Sequence, residues 1–209
     1  MERSRDVPSS KQTLRARGLA ARRAQESRET VSREICRRLA ALREYQAAGT
    51  VMFYVNMPQE VDTRHFLPIA RQQGKRIVIP HCRGGRIELF RWEDMEELEP
   101  SPFGVLEPKP ELCQRADRAI APRDIDLVVV PGVAFDPHGG RLGHGKGYYD
   151  GLLTQMRPGT PFVALAFQCQ MVSAIPVEPH DVFMHKVITE RTVYEGRGWP
   201  PHSPNVIDG

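Results

Sequence analysis

From Val130 to Asp150 the chain reads VPGVAFDPHGGRLGHGKGYYD, with five glycines among the nine residues from Gly139 to Gly147. Glycine reaches positive φ and lets a ligand approach the main chain, but each one loses more chain entropy on folding than any other residue. Five in so short a span argue against a mere surface turn. The run Ile125-Asp126-Leu127-Val128-Val129-Val130 before it is apolar, β-branched and closed by Pro131-Gly132, which predicts a buried strand. Tyr149-Asp150-Gly151-Leu152-Leu153 after it predicts a helix. Strand, glycine loop and helix in that order form an anion cradle, because loop amides and the helix N-terminus converge on phosphate. Gly140 to Lys146 fits the spacing G-x-x-x-x-G-K, yet Gly147 stands where a P-loop carries the Ser or Thr that binds Mg²⁺. Asp150 is the nearest carboxylate that supplies the hard oxygen Mg²⁺ prefers.

The rest of the chain alternates between the two periodicities. Ser10 is a reasonable N-cap for a basic helix in which Lys11 and Arg15 stand one turn apart. Two such cations repel unless an anion lies between them, so a phosphate contact and a solvated basic face both fit. A second helix is predicted from about Glu29 to Ala41. Strands are predicted at Thr50–Val55, Arg76–Pro80, Arg86–Trp92, Pro161–Phe167 and Lys186–Glu190, with a helix over Arg64–Gln73. Arg83-Gly84-Gly85 reads as the turn of an antiparallel pair. Glu60 follows the first strand, where ligands of open α/β sheets gather, although an acid at a helix start serves the dipole equally well. Glu93 to Pro108 reads as an ordered loop, in which Phe103 either packs inward or offers a face to a flat ligand. Residues 1–9 are expected to be disordered and residues from Gly196 onward to form a loose tail. The expected architecture is a single α/β domain over 10–195, a sandwich whose mostly parallel central sheet is flanked by helices.

Several classes are disfavoured. The chain has 209 residues, enough for one core without staples, and its net charge of +3 is too mild for a dedicated nucleic-acid protein. No apolar run approaches the ~20 residues of a membrane span, and the N-terminus lacks the apolar core of a secretory signal. Four scattered cysteines without a C-x-x-C pair argue against zinc and a disulfide framework, so a reduced, cytoplasmic setting is expected. His138, His144, His180 and His185 lack the close pairing of a zinc site, and no Ser or Cys sits in a nucleophile frame.

The block Pro131-Gly132-x-x-Phe135-Asp136, followed by Gly140-Arg141-Leu142-Gly143-x-Gly145-Lys146-Gly147-Tyr148-Tyr149-Asp150, resembles the 5-formyltetrahydrofolate cyclo-ligase family. Lys11 with Arg15, Glu60-Val61-x-Thr63, Glu107-Pro108 and His180-Asp181 before Val187-x-Thr189-Glu190 extend the resemblance over roughly residues 10–190. The resemblance implies a Rossmann-like fold of the sugar-isomerase/CoA-transferase type. It also implies ATP- and Mg²⁺-dependent closure of 5-formyltetrahydrofolate to 5,10-methenyltetrahydrofolate. On the nucleotide side it points to Lys11, Arg15 and the loop residues Arg141, Leu142, Gly143, His144, Gly145, Lys146, Gly147, Tyr148 and Tyr149. Asp150 and Asp181 are implied as Mg²⁺ ligands; Val55, Glu60, Phe103, His144 and Tyr148 as folate contacts; and Lys146, Arg141 and Tyr148 as catalytic candidates. Between Lys146 and Arg141 as stabiliser of the moving phosphoryl the sequence does not choose. The chain departs from the family pattern at His185, where some relatives carry an acid, and at Gly151, where many carry a larger residue. A monomer acting on a reduced folate, without nucleic acid or membrane, is the expected state. An ATP-dependent ligase for another formyl-amine or carboxylate is an alternative, as is a non-catalytic nucleotide- or RNA-binding relative.

Overall fold

The computed structural model describes residues 10–83, 86–101, 104–179 and 181–199. The expectations for residues 1–9, Phe103, His180 and 200–209 lie outside them. Helices α1 (Lys11–Ala24), α2 (Arg28–Ala41) and α3 (Arg43–Ala47) precede strand β1 (Thr50–Met52). Then come α4 (Leu67–Gln72), β2 (Arg76–Arg83), β3 (Arg86–Trp92), β4 (Leu98–Pro100), β5 (Leu106–Pro108) and α5 (Pro110–Cys113). The second half holds β6 (Leu127–Val130), β7 (Ala134–Phe135), β8 (Arg141–Leu142), α6 (Tyr148–Leu153), β9 (Phe162–Leu165), β10 (Lys186–Ile188) and β11 (Val193–Glu195).

Seven strands form one sheet in the order β11-β10-β9-β6-β1-β2-β3. The five inner strands pair in parallel, and each edge strand, β3 and β11, is antiparallel to its neighbour. Successive side chains of a strand point to opposite faces, and the core divides accordingly. Val51, Ile77, Leu127 and Val163 pack with Ile35, Leu39, Tyr45 and Leu67 of α2–α4. Met52, Val78, Val128 and Ala164 face the other way, toward Leu152 and Leu153 of α6. The α/β sandwich with a mostly parallel sheet is therefore observed. No helix among the described residues is long and apolar enough to cross a membrane.

α1 begins as expected, with the Ser10 hydroxyl accepting from the Thr13 N–H at 3.2 Å. It does not lie on the sheet, however. Its apolar contact is Leu14 against Ala134, Leu142 and Ile175, so it packs on the β7–β8 hairpin. That hairpin is the main correction to the expected order, because it separates the β6 strand from the glycine loop. Three further differences are smaller. The proline-rich segment after Glu93 pairs into β4 and β5. A final strand, β11, was not expected; Thr189 turns the chain into it by accepting from the N–H groups of Arg191 and Thr192. Residues 196–199 are not loose. The Gly196 N–H donates to His185 O at 2.8 Å, Arg197 N–H to His138 O at 3.0 Å, and Trp199 packs on the core.

Candidate functional site

The strand order reverses at the β1/β6 pair: the chain steps from β1 outward through β2 and β3, then returns to β6 on the other flank. Crevices at the carboxyl ends of strands on either side of such a switch hold ligands in open α/β sheets. A cavity of about 730 Å³ lies there. One wall is formed by Tyr54, Val55, Met57 and Glu60 after β1, with Pro80, His81 and Cys82 ending β2. The facing wall is formed by Lys11, Arg15, Gly132, residues 141–150, Glu178 and Asp181. Every candidate among the described residues therefore reaches one cavity. Phe103 is outside the described residues.

The five glycines do not act together. Asp136, 3% exposed, organises the hairpin turn: Oδ1 accepts from the N–H groups of His138 and Gly140 at 2.9 Å, and Oδ2 from Ile175 at 3.0 Å. Gly139 takes φ +87° in that turn, and a Cβ there would fall 2.2 Å from the Met184 carbonyl oxygen. Gly140 is covered by Asp136, whose Oδ2 would sit 2.4 Å from an added Cβ. The G-x-x-x-x-G-K spacing is thus a coincidence of two structures. Gly139 and Gly140 close a hairpin, and only Gly143, Gly145 and Gly147 belong to the loop that faces the cavity. Gly145 and Gly147 adopt φ +93° and +67°, and Gly147 precedes the six-residue α6. Among the described residues, no group accepts a hydrogen bond from the main-chain N–H of residues 144–149. Those amides are donors turned out of the protein's own bonding.

The cations around the loop differ in what they hold. Arg15 Nε donates to Gly143 O at 3.1 Å, fixing the loop's entry. Arg141, its side chain 4% exposed, donates to Asp150 Oδ1 at 2.8 Å and lies over the Tyr149 ring. Lys11 Nζ meets Asp181 Oδ2 at 2.7 Å and Glu178 Oε1 at 3.3 Å. Burial pulls the Lys11 ammonium down, but these two carboxylates outweigh it and hold the pKa above the usual lysine value. Lys146 lies over the exposed Tyr148 ring, and among the described residues no carboxylate pairs with Lys146 or Arg15. His144 is held below the ordinary histidine pKa by burial and by the charges of Arg22 and Arg15, which favours the neutral ring. Leu142 is buried under α1, and its carbonyl accepts from the Val133 N–H at 2.6 Å.

On the opposite wall Glu60, 8% exposed, accepts from Arg22 Nη1 at 3.3 Å and from the Met57 N–H at 2.9 Å. Burial pushes its carboxyl above the usual range, with Arg22 and the Met57 amide pulling the other way. Burial likewise raises the phenols of Tyr54 and Tyr149, which stay neutral. Three residues that the sequence reading passed over help to build the site: Gly18, Arg22 and Gln170. Gly18 brings α1 against Val133, and Gln170 Nε2 donates to Gly132 O and Val133 O at 3.0 Å. The available signal was spacing, since Lys11, Arg15, Gly18 and Arg22 fall on one stripe of α1.

Asp150 and Asp181 both line the cavity, each against a cation. Among the described residues no group of three or more His, Cys, Asp or Glu side chains is arranged for a metal. The donor set nevertheless fits Mg²⁺, which is commonly bound by one or two carboxylates plus phosphate oxygens rather than an all-protein cage. His185 Nδ1 accepts from the Phe162 N–H at 2.9 Å, tying β9 to the start of β10.

The profile of the 5-formyltetrahydrofolate cyclo-ligase family matches residues 7–190. A Schizosaccharomyces pombe protein named probable 5-formyltetrahydrofolate cyclo-ligase is 38% identical over 130 residues, 61% of this chain and 62% of that protein. The aligned part is thus under two thirds of that relative's length. The Mus musculus 5-formyltetrahydrofolate cyclo-ligase is 29% identical over 197 residues, covering 88% of this chain and 95% of the mouse protein. The NMR structure of Aquifex aeolicus 5,10-methenyltetrahydrofolate synthetase superposes with a TM-score of 0.76 at 30% identity, covering 93% of this chain and 98% of that one.

Proposed function

The chain belongs to the 5-formyltetrahydrofolate cyclo-ligase family, a family of ligases, and we propose that it closes 5-formyltetrahydrofolate to 5,10-methenyltetrahydrofolate at the expense of ATP. The observation that carries this reading is the two-sided cavity. Lys11, Arg15, Lys146 and the undonated loop amides line one side, and the buried carboxylate Glu60 lies on the other.

The chemistry explains why both sides are needed. Amide resonance makes the formyl carbon unreactive, and N10 cannot expel oxide from it. Attack of the formyl oxygen on the γ-phosphorus releases ADP and leaves an O-phosphorylated iminium. N10 then bonds to that carbon, the C–O bond breaks with departure of phosphate, and N10 gives up its proton. Catalysis is then mainly positioning and charge stabilisation. In this reading the amides of residues 144–149, Lys11 and Arg15 take the phosphates, as donors turned toward an anion do. Lys146 meets the transferred phosphoryl, because Arg141 is already engaged by Asp150. Mg²⁺, held by Asp150 and Asp181, would supply charge neutralisation across the phosphates. Glu60 accepts from the N–H groups of the pterin, and Val55, His144 and Tyr148 line the space between.

The test is the absorbance of the methenyl product, followed with purified protein, 5-formyltetrahydrofolate, ATP and Mg²⁺. Product that requires both ATP and the metal is expected. No product, or product formed without ATP, would overturn the reading.

A further inference from the structure

Glu60 is reached from behind by one side chain that does not itself line the cavity. Arg22, in the last turn of α1 and 2% exposed, places Nη1 3.3 Å from Glu60 Oε1 and 3.1 Å from Gly132 O. The second oxygen of Glu60 takes the Met57 N–H at 2.9 Å. An ionised carboxylate has about four lone-pair sites, so two directions remain for a ligand in the cavity. The geometry points to Arg22 as a positioning residue that keeps Glu60 an oriented, two-oxygen acceptor for the pterin. The inference rests on the role proposed above for Glu60.

The physical reason is the cost of a buried charge. A carboxylate as buried as Glu60 protonates unless it is paired. A protonated Glu60 presents an O–H toward a pterin edge whose amino and N3–H groups are also donors, so donor would face donor. The groups around Glu60 are Arg22 from α1, the Met57 amide, Tyr54 after β1 and Tyr149 from α6, and of these Arg22 alone is a cation. Arg22 is costly to place: its Nε is buried without a hydrogen-bond partner. A residue serving only to join α1 to Gly132 would not need to reach a cavity-lining acid as well.

Arg22→Met, Arg22→Lys, Glu60→Gln and the double variant Arg22→Met/Glu60→Gln test this through the separate KM values for folate and ATP across pH. Removing the guanidinium raises the Glu60 pKa further, so the acceptor form is lost at a higher pH as pH falls. Arg22→Met is therefore expected to raise folate KM about tenfold or more, with a penalty that grows toward acidic pH and an unchanged ATP KM. Arg22→Lys should recover most of the loss. The double variant should match Glu60→Gln alone, because Arg22 acts through that carboxylate. It also removes both buried charges, so it keeps the comparison open should Arg22→Met not fold. A pH-independent penalty, an equal shift in ATP KM, or a double variant that multiplies the two defects overturns the inference. A wild-type protein without cyclo-ligase activity, or Glu60→Gln with unaltered folate KM, refutes instead the reading on which it rests.

Discussion

Gly18→Ala separates two effects of opposite sign. Gly18 lies within the 14-residue helix α1 and is buried. Helix propensity alone favours alanine there by about 0.8–1 kcal/mol. The packing opposes it: a Cβ at Gly18 would fall 2.5 Å from Val133 O and 3.1 Å from Val133 Cγ1. The carbonyl belongs to the backbone leading into β7, whose Val133 N–H bonds Leu142 O at 2.6 Å, so it cannot swing aside as a flexible side chain would. Relief requires α1 to retreat by several tenths of an ångström. A gap of that size forfeits about a quarter to a half of each van der Waals contact it opens, and overpacking typically costs about 1–3 kcal/mol. The net expectation is destabilisation by up to about 2 kcal/mol, or a melting temperature lower by up to about 8 °C for a chain this long. The retreat also withdraws Lys11, Arg15 and Arg22, which share the stripe. A misplacement approaching 1 Å in positioning groups costs up to about 100-fold, so kcat/KM should fall about 10- to 100-fold. Urea unfolding with the product-absorbance assay measures both. A variant as stable as the parent, with unchanged kcat/KM, would refute the claim that α1 is docked through this glycine.

Asp136→Asn should lower stability by about 2–4 kcal/mol, since an amide nitrogen must face at least one of three main-chain N–H groups, while ATP KM stays unchanged; a urea midpoint equal to the parent's contradicts the turn assignment. Asp150→Asn should cut turnover and raise the Mg²⁺ concentration needed for half-maximal rate, and an unaltered Mg²⁺ requirement removes Asp150 from the metal site. Cys36 is 1% exposed, and burial with the nearby Asp62 charge pushes its thiol up to about 12. Alkylation of the native protein, mapped by peptide mass, should therefore mark the exposed Cys82 and Cys169 and spare Cys36. Labelling of Cys36 at the same rate sinks that expectation.

What the sequence disclosed follows from how far apart the interacting groups lie along the chain. The strand-and-helix alternation and the α/β class were legible, because periodicity is local and the strands Leu127–Val130 and Phe162–Leu165 are continuously apolar. The loop residues and Asp150 were legible for the same reason: they are contiguous. The contacts that complete the site are not. Arg22 meets Glu60 across 38 positions and Lys11 meets Asp181 across 170, and neither pairing leaves a mark on its neighbours in sequence. Local pattern also misled in one place. Gly140 to Lys146 matches a phosphate-loop spacing, yet spacing counts residues and is blind to what covers them. Gly140 carries the Asp136 carboxylate against its Cα, and Gly139 abuts the Met184 carbonyl, so neither can approach a ligand. The loop glycines that line the cavity begin only at Gly143, after β8 has ended. A glycine-rich motif therefore has to be divided by which glycines have open space on the ligand side. By that criterion this loop resembles a P-loop in composition while differing from it in construction: Asp150, the carboxylate proposed for the metal, stands in α6, and Gly147 rather than a hydroxyl residue follows the lysine.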